Sequence, residues 1–181
     1  MRLAVPPYHR RLPHIYPEGA WLFITFRLHG SLPNLQAQSF VDADRIMDRA
    51  AAGPRWLADP RIAAIVAEAI HAGARAHDFY DIRAWVLMIN HIHLLILPKV
   101  AVPKIMQWLK GSTSHAANAL LNRAGERFWQ IESYDHWIRD RWELEKTVRY
   151  IEENPVSAGL VTSAAEWPWS SGAWQAKACA T

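Results

Sequence analysis

Two apolar runs set almost back to back constrain this sequence more than any other feature. Ile82–Met88 and His91–Leu97 are separated only by a tight connection near Asn90, and Pro98 ends the second run. Short apolar segments with so little chain between them read as a β-hairpin. A hairpin this apolar needs further elements to cover it, and the flanking sequence offers them. Gly19–Leu28, rich in aromatic and β-branched residues, reads as a strand. A short helix is expected over Phe40–Ala52. A longer one is expected over Arg61–His77, where Ile62, Ile65, Val66, Ala69 and Ile70 recur at helical spacing. Pro103 suits the first turn of a helix that continues to about Leu121. Phe128–Ile138 has the content of another strand.

The last helix starts at a readable signal. Asp140 is a candidate N-cap and Glu143 stands three residues later, a capping-box pattern. Leu144, Val148 and Ile151 then fall on one face. Pro155 is expected to stop the helix, because the residue before a proline resists the helical region. Beyond Glu166, Trp167, Trp169 and Trp174 are expected to cover a sheet edge. The order strand, helix, hairpin, helix, strand, helix gives an α+β domain. Its core is βαββαβ, an antiparallel sheet with helices on one face. The 181 residues suit one domain over 1–181.

Composition narrows the function classes. A single cysteine, Cys179, excludes an intrachain disulfide and a cysteine-rich zinc site, and fits a reducing, cytoplasmic compartment. No signal-peptide core and no long apolar span are present, so no membrane partner is expected. A formal charge of +3 permits a polyanionic partner without demanding one. Ten tryptophans serve either as core filling or as stacking surfaces for bases.

The chemistry concentrates in two places. On a strand, alternate side chains share a face, so His91 and His93 point the same way while Ile92 points away. Neutral imidazoles are good ligands for a divalent ion, but two do not complete its coordination. Tyr150 and Asn154 are one helical turn apart on one face of the last helix. If that face lies over the sheet, Asn154 offers an amide oxygen and Tyr150 a phenol. Tyrosine is a covalent nucleophile that stores a broken phosphodiester as phosphotyrosine. Each signal alone also has an ordinary structural use.

Together these stretches resemble a family. Trp85-Val-Leu-Met-Ile-Asn-His-Ile-His-Leu-Leu-Ile is similar to the histidine-hydrophobic-histidine (HUH) signature of the single-tyrosine, insertion-sequence-200-like transposases. Tyr150-Ile-Glu-Glu-Asn-Pro-Val-Ser-Ala-Gly-Leu-Val resembles their tyrosine helix, above all that of the REP-associated tyrosine transposases. Phe23-Ile-Thr-Phe-Arg, Phe128-Trp-Gln, Tyr134-Asp-His-Trp-Ile-Arg and Trp167-Pro-Trp-Ser-Ser agree in order. The sequence departs at Ile89, where relatives often carry proline, and in the acidic pair Glu152 and Glu153 beside the tyrosine.

The resemblance implies a ferredoxin-like HUH fold with an additional C-terminal tyrosine helix. It implies a Mg or Mn ion held by His91, His93 and Asn154, with Tyr150 as the nucleophile that becomes linked to a 5′ phosphate. The implied substrate is single-stranded or hairpin DNA, cut and rejoined without ATP by a monomer or homodimer in the bacterial cytoplasm, near the nucleoid. Lys110, Lys104, Arg123 and Arg127 are the foremost candidates for phosphate contacts, with Lys99, Arg139 and Arg141 behind them. Tyr134 is the rival nucleophile, and His115 and His136 read as structural. Two alternatives remain: a nuclease that hydrolyses DNA with Glu143 as general base, and a domesticated hairpin-binding protein with little turnover.

Overall fold

A computed structural model describes residues 17–31 and 53–173. The helix expected over 40–52 and the residue Trp174 lie outside this range. Four strands, β1 (Leu22–Arg27), β2 (Tyr80–Leu87), β3 (His91–Pro98) and β4 (Tyr134–Trp137), form one sheet in the order β2-β3-β1-β4. Every neighbouring pair is antiparallel. With helices α1 (Pro60–Arg75) and α2 (Val102–Leu120) as the crossovers, this is the ferredoxin-like arrangement that the sequence leads one to expect. The tyrosine-bearing helix α3 (Arg141–Ser157) follows β4.

Strand alternation divides the core in two. Leu22, Ile24 and Phe26 of β1 and Ile92, Leu94 and Ile96 of β3 face α1 and α2, where they meet Ile62, Val66, Ile70, Ile105 and Leu109. The opposite face carries Phe23, Ala84, Val86 and Leu95, and α3 covers it through Ile151, Leu144 and Val148. Helices therefore occupy both faces, not one. In β2 the register shifts between Ile82 and Ala84. This bulge changes the parity, so Tyr80 and Ile82 before it and Trp85 and Leu87 after it all serve the α1/α2 side. Gly73 is the point where α1 crosses Tyr80: a Cβ there would run into the Tyr80 ring. The Tyr80 hydroxyl donates to the Ile70 carbonyl at 2.9 Å.

Two expectations need correction. The strand predicted over 128–138 is regular only from Tyr134. Before that, Trp129 forms a single bridge with Leu28, and the chain then leaves the sheet. The Gln130 and Ile131 carbonyls, which a strand would pair, instead accept from the Lys110 ammonium at 3.0 Å each. Nor does Pro155 stop α3, which runs on to Ser157. A proline removes its own N–H from the ladder and crowds the carbonyl four residues back, which weakens the helix locally without having to end it. The final turn is secured downstream, because Leu160 N–H donates to the Pro155 carbonyl and Gly159 N–H to that of Val156, both at 2.9 Å. Those two bonds form a Schellman motif, and Gly159 supplies the positive φ of 71° that it requires.

The tail does cover a sheet edge. Trp167 Nε1 donates to the Leu87 carbonyl at 2.8 Å, and Leu87 N–H donates to the Trp169 carbonyl at 2.8 Å. Ser171 Oγ accepts from Trp85 N–H and donates to Glu152, so the tail fastens β2 to α3. Among the described residues no helix is long and apolar enough to cross a membrane.

Candidate active site

The site lies on the α3 side of the sheet, at the meeting of its two central strands. His91 and His93 are both fully buried there. Their Nε2 atoms converge to 3.1 Å. Each ring is held from behind. His91 Nδ1 lies 2.6 Å from Asn90 Oδ1. That oxygen only accepts, so Nδ1 carries the proton and Nε2 presents a lone pair when the ring is neutral. His93 Nδ1 is 2.8 Å from the Thr25 hydroxyl, which both donates and accepts and so serves either tautomer. Phe23 stacks on His93 at 5.4 Å between centroids.

Helix α3 brings its tyrosine to this pair. The Tyr150 ring lies 5.5 Å from that of His93 and 6.0 Å, edge-on, from Phe23. Tyr150 remains 37% exposed, so a substrate can reach a phenol whose ring packs beside the buried His93. Asn154, one turn further, is buried, and its Oδ1 has no hydrogen-bond partner. An amide oxygen withdrawn from water with nothing to bind is costly, and it is the kind of group that a cation satisfies. Among the described residues no cluster of three His, Cys, Asp or Glu assembles. The candidate donors are the two imidazoles on β3 and this buried amide oxygen, one turn after Tyr150 on α3.

The α3 N-terminus is anchored beside the site. Asp140 accepts from Glu143 N–H at 2.8 Å, as its capping position predicts. The reciprocal half of the capping box is absent. Glu143 reaches past Asp140, accepting from Arg139 N–H at 2.8 Å and meeting His136 Nε2 at 2.8 Å. Burial pushes the Glu143 carboxyl up, but the bonds from Arg139 and His136 outweigh it and hold the group below its ordinary value. Both oxygens of the proposed general base are thus engaged. Tyr134 lies across from Thr25 in the sheet and packs edge-on against Phe23 at 6.4 Å. Burial, reinforced by Asp135 and Glu143, pushes its phenol up, away from the phenolate that a nucleophile must approach.

Sequence reasoning did not single out Thr25 or Arg27. Both lie on the histidine face of β1, and Arg27 stands directly across from His91. Burial lowers the Arg27 guanidinium from its ordinary value, while Glu132 pulls it back up. Strand period alone puts Phe23, Thr25 and Arg27 on one side. Their place beside the histidines is set by the β1–β3 register, between residues 68 positions apart in the Thr25–His93 pair.

The foremost phosphate candidates are not brought to this site. Lys110 is committed to the 130–131 carbonyls and lies over the Phe26 ring at 5.7 Å, on the α1/α2 side. Lys104 sits over Phe79 at 5.1 Å. Arg123 stacks on Trp56 at 3.9 Å and pairs with Glu126. Arg127 is exposed in the loop that follows. Of the lesser candidates, Arg139 and Arg141 do flank the start of α3. Glu152 accepts from Ser171, and Glu153 is exposed.

The family model described as Transposase IS200 like matches residues 55–154, a span that contains both histidines, Tyr150 and Asn154. A solved REP-associated tyrosine transposase bound to a REP hairpin superposes with a TM-score of 0.64 at 22% identity, covering 90% of this chain and 82% of that one. That likeness shows a shared fold. A Deinococcus radiodurans protein named as a transposase matches with a TM-score of 0.40 at 13% identity, over 81% of this chain and 98% of that one. No curated protein matches. With more than half of its length matched by the family model, the chain belongs to the IS200-like transposases.

Proposed function

We propose that this transposase cuts and rejoins single-stranded DNA through a covalent bond between Tyr150 and a 5′ phosphate, at a site that takes a Mg or Mn ion. The observation that carries the reading is the convergence of His91 and His93 Nε2 beside the Tyr150 ring. Two imidazole nitrogens 3.1 Å apart, each ring oriented through its other nitrogen, are close enough to serve one cation together. The buried, unpartnered Asn154 oxygen supports a third ligand. When bound, the ion would neutralise the scissile phosphate and favour loss of the phenol proton.

The chain's own residues account for the rest. Thr25 and Asn90 orient the imidazoles. Arg27, on the same face, is suited to bind a phosphate oxygen through its forked donors. Tyr150 Oη attacks phosphorus and loses its proton, and the bond to the 3′ oxygen breaks. That oxygen takes up a proton and leaves as a 3′ hydroxyl. A 3′ hydroxyl attacking the phosphotyrosine reverses every step, restoring the phenol and a phosphodiester, so no nucleotide cofactor is needed. Hairpin DNA is the favoured substrate, because the hairpin-bound transposase shares this fold. The hydrolytic alternative is less favoured, since each Glu143 oxygen already has a partner at 2.8 Å.

Incubating the protein with end-labelled hairpin DNA bearing single-stranded flanks, with Mn, tests the reading on a denaturing gel. Cleavage should occur with the parent and vanish with Tyr150→Phe. Cleavage that survives in Tyr150→Phe refutes it.

A further inference from the structure

Trp142 is 67% exposed, more than the other exposed large hydrophobic residues among those described, Leu120, Ile131 and Tyr150. It stands in the first turn of α3, where the helix has its start secured by Asp140 and needs no aromatic ring in water. Lys146 follows one turn on, its ammonium 5.0 Å from the Trp142 ring. Tyr150 follows one turn after that. Residues four apart on a helix form a continuous row, so Trp142, Lys146 and Tyr150 make a line from solvent to the candidate active site. The line covers about 12 Å of helix rise, enough to lie along more than one nucleotide. Arg149 is exposed next to it. The nearest acid towards the helix start, Glu145, is drawn to Arg141 at 3.0 Å.

We infer that this row is a binding track for the unpaired DNA strand flanking the scissile phosphate, with a base stacked on Trp142 and a phosphate on Lys146. The inference rests on the strand-cutting reading above and adds to it where the flanking nucleotides lie. The chemistry selects the occupant. An exposed indole followed one turn later by a cation, with Arg149 alongside, matches the sequence of base and phosphate in a single strand. In duplex DNA the base faces are stacked on one another and unavailable to the ring. An apolar protein partner would leave Lys146 and Arg149 to be desolvated without a counter-charge.

The test compares fluorescein-labelled oligothymidylate with an abasic strand of the same length, which keeps the phosphates and lacks the bases. Anisotropy is read on the full chain in Mn-free buffer. The parent should prefer oligothymidylate. Trp142→Ala should weaken oligothymidylate binding about tenfold, as expected for loss of one stacked base, and leave the abasic strand unchanged. Trp142→Phe should retain most of the affinity. Lys146→Gln should weaken both strands alike and reduce the log–log salt slope by about 0.7. The inference is overturned if Trp142→Ala binds oligothymidylate as the parent does, if it loses equally on both strands, or if the parent shows no preference. The hairpin cleavage assay separates the two readings. Cleavage by the parent together with an indifferent Trp142→Ala removes the track alone. Absent cleavage together with lost base preference in Trp142→Ala removes the chemistry and leaves the track.

Discussion

The Nε2 atoms of His91 and His93 lie 3.1 Å apart, with each ring fixed through its other nitrogen by Asn90 or Thr25. That relationship brings together the ring nitrogens of two histidines that strand alternation only places on one face. Calorimetric titration with Mn should show one site in the parent and none in the His91→Ala, His93→Ala double variant. Thr25→Val keeps the volume and removes the hydroxyl that orients His93. It should weaken Mn binding by about 10- to 100-fold, the usual cost of losing an outer hydrogen bond to a ligand. Undiminished Mn affinity in the double variant would move the metal site elsewhere.

Tyr134 faces the same side of the sheet as the histidines, but it is half-buried and its phenol is pushed up by burial, Asp135 and Glu143. Tyr134→Phe should therefore still cut hairpin DNA with Mn at close to the parent rate. Loss of cutting in this variant, with folding intact by circular dichroism, would transfer the nucleophile's role to Tyr134.

Glu143 ties the start of α3 to β4, and its folded carboxyl is held below the ordinary value of 4.5 by Arg139 N–H and His136. The sign follows from linkage. Near pH 4.5 the unfolded chain takes up a proton there while the folded chain resists it, so the stabilisation is present above that pH and is lost as pH falls through the folded value. Urea midpoints measured downward from pH 6 should fall less steeply for Glu143→Gln than for the parent. Parallel acid limbs would mean that the Glu143 contacts do not persist in solution.

The hairpin and the amphipathic faces of α1 and α3 are legible in the sequence because each is a local repeat of period two or 3.6. The histidine pair is legible for the same reason. Arg27 and Thr25 are not, because their partners are chosen by the pairing of β1 with β3, which no local pattern encodes. Pro155 misleads because a strong local rule meets a Schellman ending that secures the turn without the missing N–H. Glu143 misleads for a related reason: the spacing is right for a capping box, but His136 and the Arg139 amide compete for its carboxylate. Lys110 looks like a phosphate ligand among small polar neighbours, while the fold uses it to satisfy two carbonyls left by a broken strand.

The tail clasp gives a stability prediction. Trp167→Phe keeps an aromatic ring but removes the donor to the Leu87 carbonyl on the β2 edge. It should lower unfolding free energy by about 1 kcal/mol, typical of one lost hydrogen bond. Chemical denaturation measures this directly, and a variant as stable as the parent would show that the clasp contributes nothing.

The central proposal is that the Tyr150 phenol, placed beside the buried histidine pair, becomes bonded to DNA. Mass spectrometry of the parent after reaction with hairpin DNA and Mn, followed by nuclease and protease digestion, reads that bond at residue resolution. The expected result is a nucleotide-bearing phosphotyrosine on the peptide containing Tyr150, absent when Mn is omitted. Cleaved DNA with no modified peptide, or the modification on the peptide containing Tyr134, would contradict it.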